Sequence, residues 1–271
     1  MPPVLNIVGA GHVGRTLGRL FAQAGVFGIG GVRTRSRASA QEAVDFIGAG
    51  QAEELPAAAV WMLAVGDDAI APVCTELAPR LRGAVVFHCS GAKASSELAA
   101  ARAAGACVAS VHPIRSFADP AAVAAHFGGT WCGIEGDAAA LAVLRPAFEA
   151  IGARLVPIDA AAKTVYHAAA VFASNYLVTV MDAALRAYQA AGVPPEVARE
   201  LAGPLATETL ANVLRLGPEA ALSGPIARGD MATVARQESS LMAWDASTGA
   251  LYAALAAATV DLTRRRNDCS A

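Results

Sequence analysis

The chain has 271 residues, 55% of them hydrophobic and 16% charged, with a formal net charge of −2. That is enough apolar material for two ordinary domains, and the near-neutral balance gives no electrostatic footprint for nucleic acid or an anionic membrane surface. The five cysteines (Cys74, Cys89, Cys107, Cys132 and Cys269) are odd in number and form no C-x-x-C pair, so neither a disulfide framework nor a zinc site is expected and a reducing cytoplasm fits best.

The start, Met1 to Ile7, has no basic n-region and runs into a strand-like segment, so it does not read as a signal peptide. Val4 to Val8 is a β-branched run ending in glycine, and Val13 to Ala24 has helical spacing. Gly28 to Val32 is apolar again, and Ser39-Ala40-Gln41-Glu42 reads as a capping box opening a helix. Val60 to Val65, Ala84 to His88 and Cys107 to Val111 are further buried-strand candidates with helical stretches between them. This alternation predicts α/β architecture: a Rossmann-like, doubly wound parallel sheet. From Ala160 to Ala191 the sequence has neither Gly nor Pro and predicts one long helix, stopped by Gly192, Pro194 and Pro195. Further helices follow, and the Arg264–Asp268 tail is expected to be frayed. The predicted organisation is therefore residues 1–158 as a dinucleotide-binding domain and 159–271 as an all-α domain. Thr164 to Met181 is the longest charge-free apolar stretch, but His167, Ser174 and Asn175 interrupt it, so no membrane span is expected.

Gly9-Ala10-Gly11-His12-Val13-Gly14 is a G-x-G-x-x-G motif between a β-branched strand and a helix, the context that a dinucleotide site requires. Gly9 permits the tight turn, Gly11 lets backbone approach a pyrophosphate, and Gly14 lets helix pack on strand. His12 and Val13 open the helix whose free N–H groups would face the phosphates. An NAD site usually carries Asp or Glu at the end of the second strand. Here the sequence is Val32-Arg33-Thr34-Arg35-Ser36-Arg37, without an acid. Arg33, Arg35, Ser36 and Arg37 suit a 2′-phosphate, which favours NADP(H). Gly66-Asp67-Asp68 follows the Val60–Val65 strand, and either Asp reads best as a helix cap.

Ligands of open α/β sheets sit beyond the carboxyl ends of the strands. Two such ends carry reactive groups: His88-Cys89-Ser90-Gly91 and His112-Pro113-Ile114-Arg115-Ser116. Ser90 could bind a substrate carboxylate or carbonyl, and His112 could orient substrate or donate a proton. The long helix adds Lys163, Tyr166, His167, Ser174, Asn175 and Tyr176; Lys163 and His167 lie one turn apart on one face. Lys163 is one of only two lysines beside nineteen arginines. A lysine kept against that drift marks a position that needs what Arg cannot do, such as losing a proton. In Ser223–Asp230, Arg228 could grip a carboxylate that Asp230 positions, or Asp230 could be an N-cap.

The order of the glycine motif, Ser90-Gly91 at a strand end, and a long helix bearing Lys163 resembles the β-hydroxyacid dehydrogenase superfamily, which includes 6-phosphogluconate dehydrogenase, hydroxyisobutyrate dehydrogenase and ketopantoate reductase. The resemblance covers essentially the whole chain. It is strongest to a branch of two-domain Rossmann-like NADP oxidoreductases similar in outline to pyrroline-5-carboxylate reductase. It implies a Lys-x-x-x-Asn signature, with the lysine as proton donor or acceptor. Lys163 matches, but His167 stands at the Asn position. His112-Pro113 is similar to prephenate dehydrogenase. The expectation is an NADPH-dependent reductase of a small carbonyl substrate, such as a ketopantoate-like 2-oxo acid. Lys163, His112 and His167 are the candidate proton donors, and Ser90, Asn175, Arg228 and Asp230 are substrate ligands. An imine reductase and a non-catalytic NADP-binding regulatory module are the alternatives. A cytoplasmic homodimer is expected, with neither nucleic acid, membrane nor metal as partner.

Overall fold

The computed structural model describes residues 1–268, with 267 and 268 described in backbone only. Cys269 lies outside the described residues. The chain divides into two compact units, Met1–Asn175 and Tyr176–Ala271.

The first unit is built on eight strands: β1 (Val4–Val8), β2 (Gly28–Arg33), β3 (Gln51–Ala52), β4 (Val60–Leu63), β5 (Val85–His88), β6 (Cys107–Pro113), β7 (Trp131–Gly136) and β8 (Arg154–Pro157). They form one sheet in the order β3-β2-β1-β4-β5-β6-β7-β8. Six strands run parallel; five of them are those that the alternating sequence pattern predicts, and the short β3 is added. The sheet is not parallel throughout, however: β7 is antiparallel to β6, and β8 is parallel to β7. Crossing helices are α1 (His12–Gln23), α2 (Arg37–Ile47), α3 (Asp67–Leu77), α4 (Ala99–Ala103), α5 (Pro120–Ala125) and α6 (Ala138–Ala150). Leu5, Ile7, Leu17, Phe21, Phe87 and Phe148 form one apolar layer; Trp61, Leu63, Ile70 and Leu77 belong to a second.

The helix α2 starts at Arg37, earlier than the Ser39 capping box predicts. Ser36 is its N-cap, and the Ser36 side chain accepts from Ser39 N. The predicted helix of residues 160–191 is also interrupted. A 3₁₀ turn (Ala160–Ala162) leads into α7 (Lys163–Ala173), and α8 (Asn175–Ala190) follows. Ser174, at φ −128° and ψ −74°, breaks the ladder between them. Ser and Asn compete locally for backbone hydrogen bonds, which favours such a break. By length and composition the Ala160–Ala190 stretch would suffice to cross a membrane. Its first helical turn instead buries Lys163 within the sheet unit.

The second unit holds the rest of α8 with α9 (Pro195–Leu216), α10 (Pro218–Ala221), α11 (Met231–Trp244) and α12 (Ala246–Asp268). Gly192, at φ +88°, and Pro195 at the start of α9 end one helix and begin the next, as the sequence predicts. The Arg264–Asp268 segment is helical, the last part of α12, where the sequence reading expects a frayed tail. Asp230 caps α11 by accepting from Thr233 N. Arg186 ties α8 to the α11–α12 corner through Asp245 at 3.1 Å and Thr248 at 3.0 Å.

A fully buried polar residue ties β1 to β2 and to the segment that precedes β4. The β1–β2 register slips by one residue opposite Asn6. Asn6 Oδ1 accepts from Gly31 N at 2.9 Å, and its Nδ2 donates to Pro56 O at 2.7 Å. Asn6→Leu removes both bonds, at about 1–3 kcal/mol for each buried group left unpaired. Urea denaturation is expected to show that loss as a lower midpoint with an unchanged slope.

Candidate active site

The glycine motif forms the turn from β1 to α1. Gly9 sits at φ +84°, and a Cβ there would come within 2.6 Å of Ala64 O. At Gly14 a Cβ would lie 2.4 Å from Gly9 O. A Cβ on Gly11 would meet no atom within 4 Å, so its absence leaves bare backbone facing open space. Gly11 caps α1 without a side-chain hydrogen bond, and no acid stands in the first turn. The helix N-terminus is therefore free to face an anion.

A cavity of about 1060 Å³ opens at this turn, lined among others by Gly9, Gly11, Arg33, Arg35, Ser36 and Ser39. All but Ser39 are groups the sequence assigns to a dinucleotide and its 2′-phosphate; Ser39 is added by the fold. Arg37, His12, Val13 and Gly14 are not among its lining residues. Arg37 is the exposed first residue of α2, and His12 Nδ1 lies 2.5 Å from Phe117 O. The tertiary fold also supplies acids that the β2 sequence lacks. Glu76 of α3 lines the cavity and pairs with Arg33 at 2.8 Å, and Glu53 accepts from Thr34 N at 3.2 Å. Asp67 and Asp68 stand in the first turn of α3, behind Gly66 as N-cap.

At the carboxyl ends of β5 and β6 a second group assembles. His88 is wholly buried and structural: Nδ1 accepts from Ser90 N at 3.2 Å, while Nε2 lies 3.0 Å from Ala94 O. Desolvation holds its pKa below the usual histidine range. Ser90 Oγ accepts from Ala92 N at 3.2 Å and Lys93 N at 2.9 Å, so it folds the loop. Its carbonyl accepts from Lys163 Nζ at 2.9 Å.

Lys163 is 2% exposed. Its ammonium also donates to Ser110 Oγ and lies 3.9 Å from Glu135 Oε1. Glu135 is in turn held by Ser95, accepting from the backbone N at 2.7 Å and from Oγ at 2.8 Å. An ammonium has three donors, and three protein groups surround this one. Burial pushes the Lys163 pKa down to about 8, against the opposing pull of Glu135. The sequence reading of Lys163 as a proton donor thus meets a lysine already committed to the protein.

Around this pin lie three aromatic groups. His112 Nδ1 is 3.0 Å from the Tyr166 hydroxyl, and the two rings meet edge-on at 5.6 Å. The His167 ring lies 5.6 Å from that of His112, at 78°. Burial, helped by the neighbouring His167 and Lys163, pushes His112 down to about 4. Burial pushes the Tyr166 phenol up to about 12. At neutral pH this is a neutral imidazole beside a protonated phenol.

The structure thus brings Lys163, His112 and His167 together, with Ser90 beneath them. It does not place Asn175 on the α7 face: Asn175 follows the Ser174 break and is exposed. Arg228 and Asp230 are exposed residues of the second unit, and the Asp230 side chain serves as a cap. Sequence reasoning missed Glu135, Ser95, Ser110 and the part played by Tyr166. Two carried a signal: Glu135 is the one acid in the strand Trp131–Gly136, and Ser110 interrupts the apolar run Cys107–Val111.

A sheet unit with a glycine turn, an uncapped helix N-terminus and polar groups at the neighbouring strand ends defines a Rossmann-type dinucleotide-binding domain. Residues 3–113 match the family model of a Rossmann-like domain, and residues 130–259 match a domain of unknown function, DUF2520. None of the curated proteins matches the chain. Among solved structures, a Thermotoga maritima protein is 28% identical, with a TM-score of 0.74 over 97% of this chain and 99% of its own. A Bacteroides fragilis protein provisionally named an NADP oxidoreductase is 21% identical, with a TM-score of 0.78 over 96% and 98%. A reductive aminase from Aspergillus terreus, in complex with NADPH and ethyl-5-oxohexanoate, is 20% identical, with a TM-score of 0.72 over 97% and 95%. These likenesses agree with the superfamily resemblance drawn from the sequence.

The low His112 pKa has a consequence for acid stability. In the unfolded chain the imidazole binds a proton near pH 6.5, and in the folded protein only near 4. Between those values the unfolded state holds more protons, so stability is complete above 6.5 and falls as pH drops towards 4. His112→Asn is expected to flatten that part of a urea-midpoint-versus-pH curve, with His88 supplying the remaining slope in the same direction.

Proposed function

We propose that this protein is an NADPH-dependent reductase of a small carbonyl or imine substrate. The observation that carries the reading is the pairing, in one sheet unit, of the arginine-lined cavity at the turn after β1 with the His112–Tyr166–His167 cluster at the carboxyl end of β6. NADPH, when bound, supplies a hydride. Gly9, Gly11 and the start of α1 would hold its pyrophosphate, and Arg33, Arg35, Ser36 and Ser39 its 2′-phosphate. That three structurally similar proteins include one provisionally named an NADP oxidoreductase and one bound to NADPH supports the cofactor.

The residues at the strand ends divide the remaining work. A carbonyl or imine that accepts hydride needs a proton on its heteroatom. Tyr166 suits this role, because a phenol pushed up to about 12 keeps its proton at neutral pH and yields it to a strong base such as a developing alkoxide. His112 Nδ1, 3.0 Å from the phenol oxygen, can donate to it as negative charge develops there. His112 itself, pushed down to about 4, carries no proton to give at neutral pH beyond its single N–H. Lys163 and Glu135 hold the ground on which these groups stand. Support for the imine alternative is the aminase relative. Among the described residues the cations near these strand ends already have protein partners, which leaves none unpaired for the carboxylate of a 2-oxo acid: Lys163 is held by Ser90 and Ser110, Lys93 pairs with Glu97 at 3.5 Å, and Arg115 bonds His126 O and Thr130 Oγ1.

The second unit fits assembly as a homodimer. Val178, Leu205 and Leu214 are 69%, 60% and 79% exposed, and an apolar groove of about 310 Å³ runs between α8 and α9. Exposed apolar surface of this kind calls for a covering partner, which a second copy supplies. Light scattering at micromolar concentration is expected to give twice the chain mass; a monomer would contradict it. The free thiols of Cys74, Cys89, Cys107 and Cys132 fit a cytoplasmic setting.

Calorimetry tests the cofactor. NADPH is expected to bind at least about ten-fold more tightly than NADH, since each charge-assisted hydrogen bond contributes roughly 1.5–3 kcal/mol. Arg35→Ala should erase most of that preference. Following NADPH oxidation with pyruvate and with 1-pyrroline tests the substrate class, and turnover of the imine alone is the outcome expected. With whichever probe turns over, Tyr166→Phe should lower kcat by roughly 10²–10⁴ without weakening NADPH binding.

A further inference from the structure

Gly91, in the loop after β5, touches both histidines of the site. A Cβ at this position would lie 2.4 Å from His167 Nδ1 and 2.8 Å from both Cε1 and Nε2 of His112. Only a residue without a side chain lets the two rings close on this point. His167 Nδ1 is buried there and has no hydrogen-bond partner. A neutral imidazole carries one N–H, on one ring nitrogen or the other. A proton on Nδ1 would leave a buried donor unpaired. With Nδ1 bare, the nitrogen packs against Gly91 and no buried donor is left unpaired. The residue as a whole is half-buried, and Nδ1 is its one buried nitrogen without a partner, which leaves Nε2 to act as donor.

From this packing we infer that Gly91 is a positioning residue: it fixes His167 in the Nε2–H tautomer and so presents one oriented N–H donor to the oxygen or nitrogen of the group being reduced. The identity of that group rests on the reductase reading; the tautomer does not. His167 then polarises the group by hydrogen bonding to its heteroatom and keeps its proton, while Tyr166 transfers one: a carbonyl oxygen has a lone pair for each, and an imine nitrogen gains its second as hydride adds to carbon. The glycine of His88-Cys89-Ser90-Gly91 is thereby explained by the two imidazoles it admits, where Ser90 beside it serves the loop.

Long-range ¹H–¹⁵N correlation spectra of the full chain, near neutral pH, read the tautomer directly, with His167→Asn used for assignment. The expected wild-type result is a protonated Nε2 and a bare Nδ1; a protonated Nδ1 overturns the inference without reference to any substrate. Gly91→Ala should shift the resonances of His112 and His167 together and lower kcat/KM for 1-pyrroline by roughly 100-fold, the scale of a misplaced group. Its affinity for 2′,5′-ADP should stay within about two-fold, since the cavity that holds a 2′-phosphate lies elsewhere. A folded Gly91→Ala protein with wild-type histidine spectra also overturns the inference. His167→Gln, whose amide can occupy the Nε2 position, should retain more turnover than His167→Asn, and the reverse order counts against it. If neither pyruvate nor 1-pyrroline is reduced by the wild type, the reductase reading fails while the spectra still decide the tautomer.

Discussion

The site depends on one buried cation. Lys163 stands at the start of α7, yet its ammonium reaches the Ser90 carbonyl of the β5 loop, the Ser110 hydroxyl of β6 and the Glu135 carboxylate of β7. Glu135 extends the chain to Ser95. A buried ion pair is costly to desolvate and gives little net stability, and breaking one partner away is strongly destabilising. What such a pair supplies here is position. It locks a helix to three separate pieces of the sheet unit, and that helix carries Tyr166 and His167. The antiparallel β7 belongs to the same device, since without it Glu135 would have no place beside β6.

Once α7 is held, the chemistry of its neighbours follows from burial. The same desolvation acts in opposite directions on groups of opposite type: it pushes His112 down to about 4 and the Tyr166 phenol up to about 12. Both end in their neutral forms, 3.0 Å apart. A neutral, hydrogen-bonded pair of this kind is suited to meeting charge that develops during a reaction rather than charge already present in a ligand. The nucleotide end works by contrast. Its glycines expose backbone, its helix is uncapped, and its arginines stand on an open rim, so it is built for a permanently charged ligand. Arg33 is shared between that rim and Glu76, which tempers the positive charge at the cavity mouth.

The sequence by itself determined the α/β alternation through five of the eight strands and the nucleotide motif. Both are written in short-range patterns: β-branched runs closed by glycine, and a G-x-G-x-x-G whose steric roles depend on residues a few positions apart. Lys163 was legible for a similar reason, because a lone lysine on an apolar helix stands out against nineteen arginines. Its role was not, since the groups that saturate it are 28, 53 and 73 positions away in the chain. Only the tertiary structure decided that Ser90 folds a loop, that the helix breaks at Ser174 and that Asp230 is a cap. It alone brought Glu76 to Arg33 and set two histidines against Gly91. The physical reason is the same in each case. A hydrogen bond or a steric contact is decided by which groups packing brings within a few ångströms, and the pairing of β7 with β6 sets those distances without leaving a local pattern in the residues themselves.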